Sequence, residues 1–549
     1  YTTMASGLDV LAGGKLKAKQ AKGQEIGTSV KTRLDQVLNW LGPDFDGVLI
    51  FDEAHNMQNS LEQETERGDS KPAAKALASV TLQQKLPKAR IVYASATAAS
   101  RVDALAYSDR VGLWGEGTAS ASKTDFVNSI ASSGLGAMEI VAQNMKAMGG
   151  YISRNLDYRD VRYRKLEHPL TDFQTEGYNE MAKMWQVVFQ NLEEALKATG
   201  VMGVNRRGET TTKNAAAKSS ALAQFWGANQ RFFNQVLTSM QMPSVLEDMK
   251  KQLAADKSIL VQLVNTNESI MARQLQNMEQ SGGDLEGVDM TPLQNLIQYV
   301  ESAFPIHQME EYTDEDGNTR TRLAKDSQGN PIINKEAVQM RDALIEKVTS
   351  MKVVPEGPLE LILNTFGPGM VAEVTGRSER VLRIKDEEEG TTAQQREKRS
   401  PAAVREDVTA FMAGKKRILV FSDKGGTGES YHADKTKKNQ QQRVHYLIQP
   451  GWRADKAVQG LGRSHRTNQA SAPEYVLTMT NIKGHKRFIS TIARRLDQLG
   501  ALTKGQRQAG SSGLIDAKDN LENEYATGAI RDFFRSLYRG KVEGMSFAD

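Results

Sequence analysis

The 549 residues include no cysteine. That excludes a disulfide framework and any thiolate metal site, and it fits a reducing interior. A surplus of one charge is also missing: 71 Lys and Arg against 67 Asp and Glu leave a net +4, too little to imply a nucleic-acid partner by itself. Any such contact must come from local clusters. No apolar run approaches the roughly 18–20 residues of a membrane span, and no signal-peptide pattern opens the chain. Nor does the sequence contain Gly-x-x-x-x-Gly-Lys-Ser/Thr, the loop whose amides and lysine hold nucleotide phosphates.

What is there is ordinary globular material, 39% hydrophobic and 25% charged. The length exceeds what one core usually serves, so two or three domains are expected. The organising stretch is Val48-Leu49-Ile50-Phe51-Asp52-Glu53-Ala54-His55. Four apolar residues predict a buried parallel strand that delivers two carboxylates at its carboxyl end, where nucleotide-hydrolysing α/β sheets work. A second apolar run, Ala89 to Tyr93, ends in Ala94-Ser95-Ala96-Thr97, and far downstream comes Gln459-Gly460-Leu461-Gly462-Arg463-Ser464-His465-Arg466-Thr467-Asn468-Gln469, its arginines three apart and expected on one helical face.

These three stretches, in this order, resemble the motifs of superfamily 2 helicases and translocases. A more specific resemblance is carried by Ile91 to Thr97, Arg110-Val111-Gly112-Leu113-Trp114-Gly115-Glu116-Gly117-Thr118, Gly136 to Ala142, Tyr151-Ile152-Ser153-Arg154 and the tail from Arg487 to Leu496. Together they are similar to the strawberry notch family of helicase-like proteins, over most of the chain. The resemblance implies two RecA-like α/β lobes. The first, residues 1–160, is incomplete at its N-terminus; a helical connector spans 161–250; the second lobe spans 251–505 with an insertion at about 275–350; a helical tail covers 506–549. In such a lobe the missing phosphate loop precedes the Asp52-Glu53 strand. The chain, which opens at Tyr1, is therefore expected to be the C-terminal part of a longer polypeptide and inactive alone.

The resemblance also implies roles. Asp52 would hold magnesium through water, and Glu53 would polarise the water that attacks ATP. Arg463 and Arg466, reaching across from the second lobe, would stabilise the transferring phosphoryl group. His55 and Gln459 would couple the lobes, and Ser95 and Thr97 would link hydrolysis to DNA, which Thr2 would also touch. Arg417 to Ser430 looks at first like a phosphate loop, but Glu429 stands where the lysine must be. It resembles instead the second lobe's glycine-bearing motif, so that Gly426 and Gly428 would lie against the nucleotide and Thr427 against DNA, with Asp434 closing the element. The cofactors implied are ATP and Mg2+, and the partner DNA. An upstream methyltransferase or similar domain in the same polypeptide, a cytoplasmic or phage-borne setting and a part in anti-restriction follow only from similarity to phage and plasmid members. A non-catalytic DNA-binding or virion-associated scaffold is the alternative.

Elsewhere the patterns are plainer. Residues 29–41 predict an amphipathic helix, and a helical region extends to about Lys88. Residues 160–250 look helical, with Trp226, Phe232 and Phe233 expected in the core and 205–220 in a loop. Ser258 to Val264 predicts a strand. Glu310 to Asn334 predicts a hairpin, in which Asp314, Asp316 and Asn318 form a turn rather than a calcium loop because Gly317 comes too early. The charged stretch 386–400 has no apolar period and predicts a surface loop.

Overall fold

The structure is a computed structural model that describes residues 33–62, 72–95, 102–152, 160–204, 208, 210–264, 268–281, 291–313, 319–351, 355–385, 392–422, 429–449, 454–486, 490 and 524–543. In chain order its elements are α1 (Arg33–Leu41), β1 (Val48–Phe51), α2 (Ala74–Lys85), β2 (Arg90–Tyr93), α3 (Lys123–Ala147), β3 (Arg162–His168), α4 (Asp172–Ala198), β4 (Met202–Val204), β5 (Thr210–Thr212), α5 (Ala215–Met240), α6 (Met242–Ala254), β6 (Ser258–Leu263), α7 (Glu268–Ser281), α8 (Leu293–Ala303), β7 (Met309–Thr313), β8 (Thr319–Leu323), α9 (Lys335–Thr349), α10 (Pro358–Phe366), β9 (Val371–Val374), β10 (Glu379–Lys385), β11 (Thr392–Lys398), α11 (Pro401–Met412), β12 (Ile418–Ser422), β13 (Arg443–Leu447), α12 (Ala454–Leu461), β14 (Glu474–Thr480) and α13 (Glu524–Tyr538). Two compact units result: residues 1–160, 451–463 and 487–549 form the first, and 161–450 with 464–486 the second. No described helix is long and apolar enough to cross a membrane.

In the first unit β1 and β2 pair in parallel, Val48 opposite Arg90 through Phe51 opposite Tyr93. Phe51, Ala54, Met57, Val80, Leu82 and Leu86 build a core between this pair and α1 and α2. The expectation that β1 is buried on both faces fails. Val48 and Ile50 are 53% and 69% exposed, and Val92 on β2 is 46% exposed. The cause is local: β1 and β2 form a two-stranded sheet, and among the described residues the side chains that alternate away from α1 and α2 meet no second layer.

The second unit holds a six-stranded, all-parallel sheet in the order β3-β14-β13-β6-β12-β9. Alternation along β6 explains its layering. Ile259, Val261 and Leu263 pack with Val245, Met249 and Ile362 from α6 and α10, while Leu260 packs with Phe411 of α11 and with Leu419, Phe421 and Tyr431. Burial on both faces by helices is the doubly wound form expected of a RecA-like lobe. α10 and α11 each begin with proline, which suits the first helical turn because no amide partner is lost there.

A helical body shares this unit. Trp185, Leu192, Phe225, Phe232, Leu296, Tyr299 and Leu344, from α4, α5, α8 and α9, form one core. The connector and the insertion therefore pack as one body rather than as separate pieces. The expected hairpin is present as β7–β8. Beyond β8 a second turn lies at Gly329, with Asp326 accepting the amides of Gln328 and Asn330 at 2.9 Å each; residues 314–318, where the hairpin's own turn was expected, lie outside the described residues.

Four expectations are corrected. Trp226, expected in the core, is 45% exposed, because its neighbour Phe225 takes the core-facing position of α5. Residues 162–168 are strand β3, not helix, because Arg164 reaches Asp248 at 2.7 Å and Glu474 at 2.8 Å and so pins a polar strand to the sheet edge. Within 205–220, β5 pairs with β4 and α5 already starts at Ala215, where Asn214 accepts the Ala217 amide at 2.9 Å as an N-cap. Residues 392–398, in the stretch expected to be a loop, are β11, paired antiparallel with β10 from Glu379–Lys398 to Lys385–Thr392. That hairpin is held by charge: Arg380 and Arg399 are buried, Arg380 meeting Glu397 at 2.9 Å and Arg399 meeting Asp407 at 2.6 Å.

Candidate nucleotide-hydrolysis site

β1 ends at Phe51, and the chain reverses at once through Glu53, which adopts left-handed geometry at φ 50, ψ 47. The Ala54 amide then donates to the Ala94 carbonyl at 2.9 Å, and the Ala94 amide to the Phe51 carbonyl at 2.9 Å, tying the reversal to the end of β2. The consequence is a sorting of side chains. Asp52 and Glu53 stand exposed at the strand end, while Ala54, His55 and Met57 turn inward. A left-handed residue with a Cβ costs about 1–2 kcal/mol, and here that cost accompanies two carboxylates presented to solvent.

His55 is the hub. Its side chain is 2% exposed against 52% for Glu53, and its Nδ1 lies 3.2 Å from Glu53 Oε2 and 3.1 Å from Ser95 Oγ. On the other side Nε2 lies 3.3 Å from the amide nitrogen of Gln459 on α12. An amide nitrogen can only donate, so Nε2 is the acceptor and Nδ1 carries the proton, the tautomer that a neighbouring carboxylate favours. Asp52, Glu53, His55, Ser95 and Gln459, scattered over 400 positions of sequence, thus share one site inside the first unit.

The arginines differ from expectation in their setting. α12 stops at Leu461, and Arg463 lies in a turn closed by its own amide on the Gly460 carbonyl at 3.0 Å, so the two arginines do not share a helical face. Gly460 and Gly462 account for the stop, being poor helix formers at its last turn. Arg466 follows in a loop of the second unit with its side chain exposed. Its amide donates to Gln469 Oε1 at 3.2 Å, and the same oxygen is 3.1 Å from His465 Nδ1. Just before it, buried Ser464 places Oγ 2.8 Å from Nδ1 of buried His445 on β13. Sequence reasoning missed this anchor, since a histidine inside an apolar strand carries no local signal of its partner. Thr2, Thr97, Gly426, Thr427 and Gly428 lie outside the described residues.

No group of three or more His, Cys, Asp or Glu that could cage a metal occurs among the described residues. Magnesium needs no such cage, because the ion keeps most of its waters and is commonly bound through one or two carboxylates plus substrate phosphates. The exposed Asp52 offers one such carboxylate, an oxygen of which accepts the Glu53 amide at 2.9 Å.

Comparison with known proteins agrees with this picture at the level of family. Residues 357–549 match the family described as the C-terminal domain on strawberry notch homologues, and residues 7–180 match the family described as a P-loop containing NTP hydrolase. Strawberry notch homolog 1 of Rattus norvegicus is 32% identical over 93% of this chain and 44% of its own length. Human strawberry notch homolog 2 is 32% identical over 93% of this chain and 40% of its own, and FORGETTER 1 of Arabidopsis thaliana 28% over 92% and 46%. The chain spans less than half the length of these relatives. Over 93% of its residues it is a strawberry-notch-type, helicase-like sequence that carries that family's C-terminal domain.

Proposed function

We propose that the chain is the motor portion of an ATP-dependent DNA translocase or helicase of the strawberry notch type. The observation that carries this is the Asp52-Glu53 turn: two exposed carboxylates on a strained reversal, joined through one buried imidazole to Ser95 and Gln459. Glu53 orients and polarises the attacking water, a task that needs an ionised carboxylate held in place and open to solvent. Asp52 would hold magnesium, which would supply positive charge to the phosphates. Arg463 and Arg466 stabilise the charge that develops on the transferring phosphoryl group, which planar and permanently charged guanidinium groups do well. His55 holds Glu53 and Ser95 with one nitrogen and Gln459 with the other, so a change at the carboxylate reaches the end of β2 and α12 without crossing solvent. Action on phage or plasmid DNA, in protection of incoming DNA, alongside an upstream methyltransferase, is the setting we propose for this activity.

DNA-stimulated ATP hydrolysis by the full-length protein tests the proposal at the arginines. Arg463→Ala and Arg466→Ala should lower turnover far more than ATP affinity, because the lost contact belongs mainly to the transition state. Lysine should rescue poorly, since it keeps the charge but not the planar fork. Near-normal rates from both alanine variants would make the arginines a solvated surface and favour a DNA-binding scaffold that does not turn over ATP.

A further inference from the structure

Asp434 takes no direct part in the chemistry above, yet the loop that carries Arg466 is built on it. One carboxylate oxygen, Oδ1, accepts the Thr436 amide at 2.8 Å, the Thr436 hydroxyl at 2.8 Å and the side-chain amide of Asn468 at 3.1 Å. Backbone contacts run alongside: the Lys435 amide donates to the Asn468 carbonyl at 3.1 Å, the Ala470 amide to the Ala433 carbonyl at 2.6 Å, and Asp434 forms a bridge with Gln469. Asn468 is left-handed, at φ 66. That single residue turns the chain back on itself, so that Gln469 Oε1 comes under the Arg466 amide at 3.2 Å. A left-handed asparagine persists where a side-chain bond holds it, and Asp434 provides that bond.

The support beneath Asp434 is as rigid. Arg443, fully buried at the start of β13, donates to the Tyr431 carbonyl at 2.8 Å, the His432 carbonyl at 3.1 Å, Asn439 Oδ1 and the Asn439 carbonyl at 2.9 Å each, and the Gln441 carbonyl at 2.6 Å. These five bonds fix the backbone on both sides of Asp434. Path and direction are then plain: sheet strand to Arg443, Arg443 to the 431–441 loop, Asp434 to Asn468 and Gln469, and Gln469 to the backbone of Arg466.

We infer that Asp434 is a positioning residue for Arg466, locking the arginine's loop through Asn468 so that the guanidinium is presented in one place. The inference rests on the proposed role of Arg466. A fixed donor contributes to a transition state because it needs no reorganisation at the moment of reaction, and small misplacements cost heavily. Asp434→Ala should therefore lower kcat roughly 10- to 100-fold with little change in KM for ATP. Asp434→Asn should recover part of the loss, since its carbonyl still accepts from Thr436 and Asn468. Asn468→Gly keeps the left-handed turn but removes the side-chain bond, and it should reproduce the kcat loss even if Asp434→Ala fails to fold.

The decisive comparison is a double-mutant cycle on DNA-stimulated ATP hydrolysis by the full-length protein. If Asp434 acts through Arg466, adding Asp434→Ala to Arg466→Ala should lower kcat no further than Arg466→Ala alone. Additive losses, or impaired Arg466→Ala beside normal Asp434→Ala and Asn468→Gly, would overturn the inference and leave the arginine's role standing. Normal turnover in Arg466→Ala would remove the role of the arginine itself, and the function assigned to Asp434 with it.

Discussion

At the scale of single residues, the site turns on Glu53. Its left-handed backbone disfavours any side chain, and its contact with His55 is half exposed, a kind worth no more than about 1 kcal/mol. Strain and contact are therefore nearly balanced. Glu53→Gly should leave the thermal midpoint unchanged or raised while abolishing turnover, since glycine accepts positive φ without cost. A drop of several degrees in a thermal melt would show that the carboxylate stabilises the turn more than its geometry strains it. The two carboxylates were legible in the sequence because their chemistry sits in one short stretch at a strand end. Gln459 and its pairing with His55 were legible only through the family resemblance, because a bond between residues some 400 positions apart leaves no trace in local spacing. Arg463 and Arg466 were found as a pair, yet their helical spacing misled, because Gly460 and Gly462 stop the helix that the spacing supposes.

At the scale of elements, charge is used where sequence reasoning expects apolar side chains. β3 is rich in Arg, Lys and Glu, and β10–β11 alternates charges, so neither showed the apolar period that marks a strand. Their partners explain them. Arg164 bridges Asp248 and Glu474, and Asp407 takes Arg399 and Lys416 at 2.6 Å each. The apolar strand β6 was by contrast plain, and the helix N-caps at Thr171 and Asn214 follow ordinary rules.

The same burial makes the second unit sensitive to acid. His485 accepts the Thr480 amide on Nδ1 at 3.0 Å, and burial pushes its pKa down to about 4. An unfolded histidine, at about 6.5, takes up a proton that the folded one refuses, so stability present above pH 6.5 is lost as pH falls toward 4. The loss should reach about 2 kcal/mol by pH 5, at roughly 1.4 kcal/mol per unit. Asp407 acts in the same direction at lower pH. Burial alone would raise its pKa, but the Lys416 ammonium, the Glu373 amide and Arg399 outweigh that and hold it below the usual carboxylate range. Its contribution is present above the unfolded pKa and disappears as the carboxylate is protonated. Denaturant midpoints at pH 7.5 and pH 5 check this, with His485→Gln expected to flatten the difference. Equal midpoints for the unaltered chain would contradict it.

At the scale of the whole molecule, the chain divides into two units, each with parallel strands that end in candidate functional residues. In the second unit the central strand β6 was readable because it is apolar and buried on both faces, whereas the polar edge strand β3 was not. The first unit's sheet was overread: four apolar residues promised a buried strand, and Val48 and Ile50 are exposed instead. The central claim is that the Asp52-Glu53 turn hydrolyses ATP. It is tested most directly by ATP binding and steady-state turnover of Glu53→Gln in the full-length protein, with magnesium and saturating DNA. The amide preserves the shape of the side chain and removes the charge that polarises water. Nucleotide should bind with near-normal affinity while turnover falls on the order of 100-fold or more, the scale of losing a positioned acid-base group. Turnover equal to that of the unaltered protein would contradict the assignment of Asp52 and Glu53 as the hydrolytic pair.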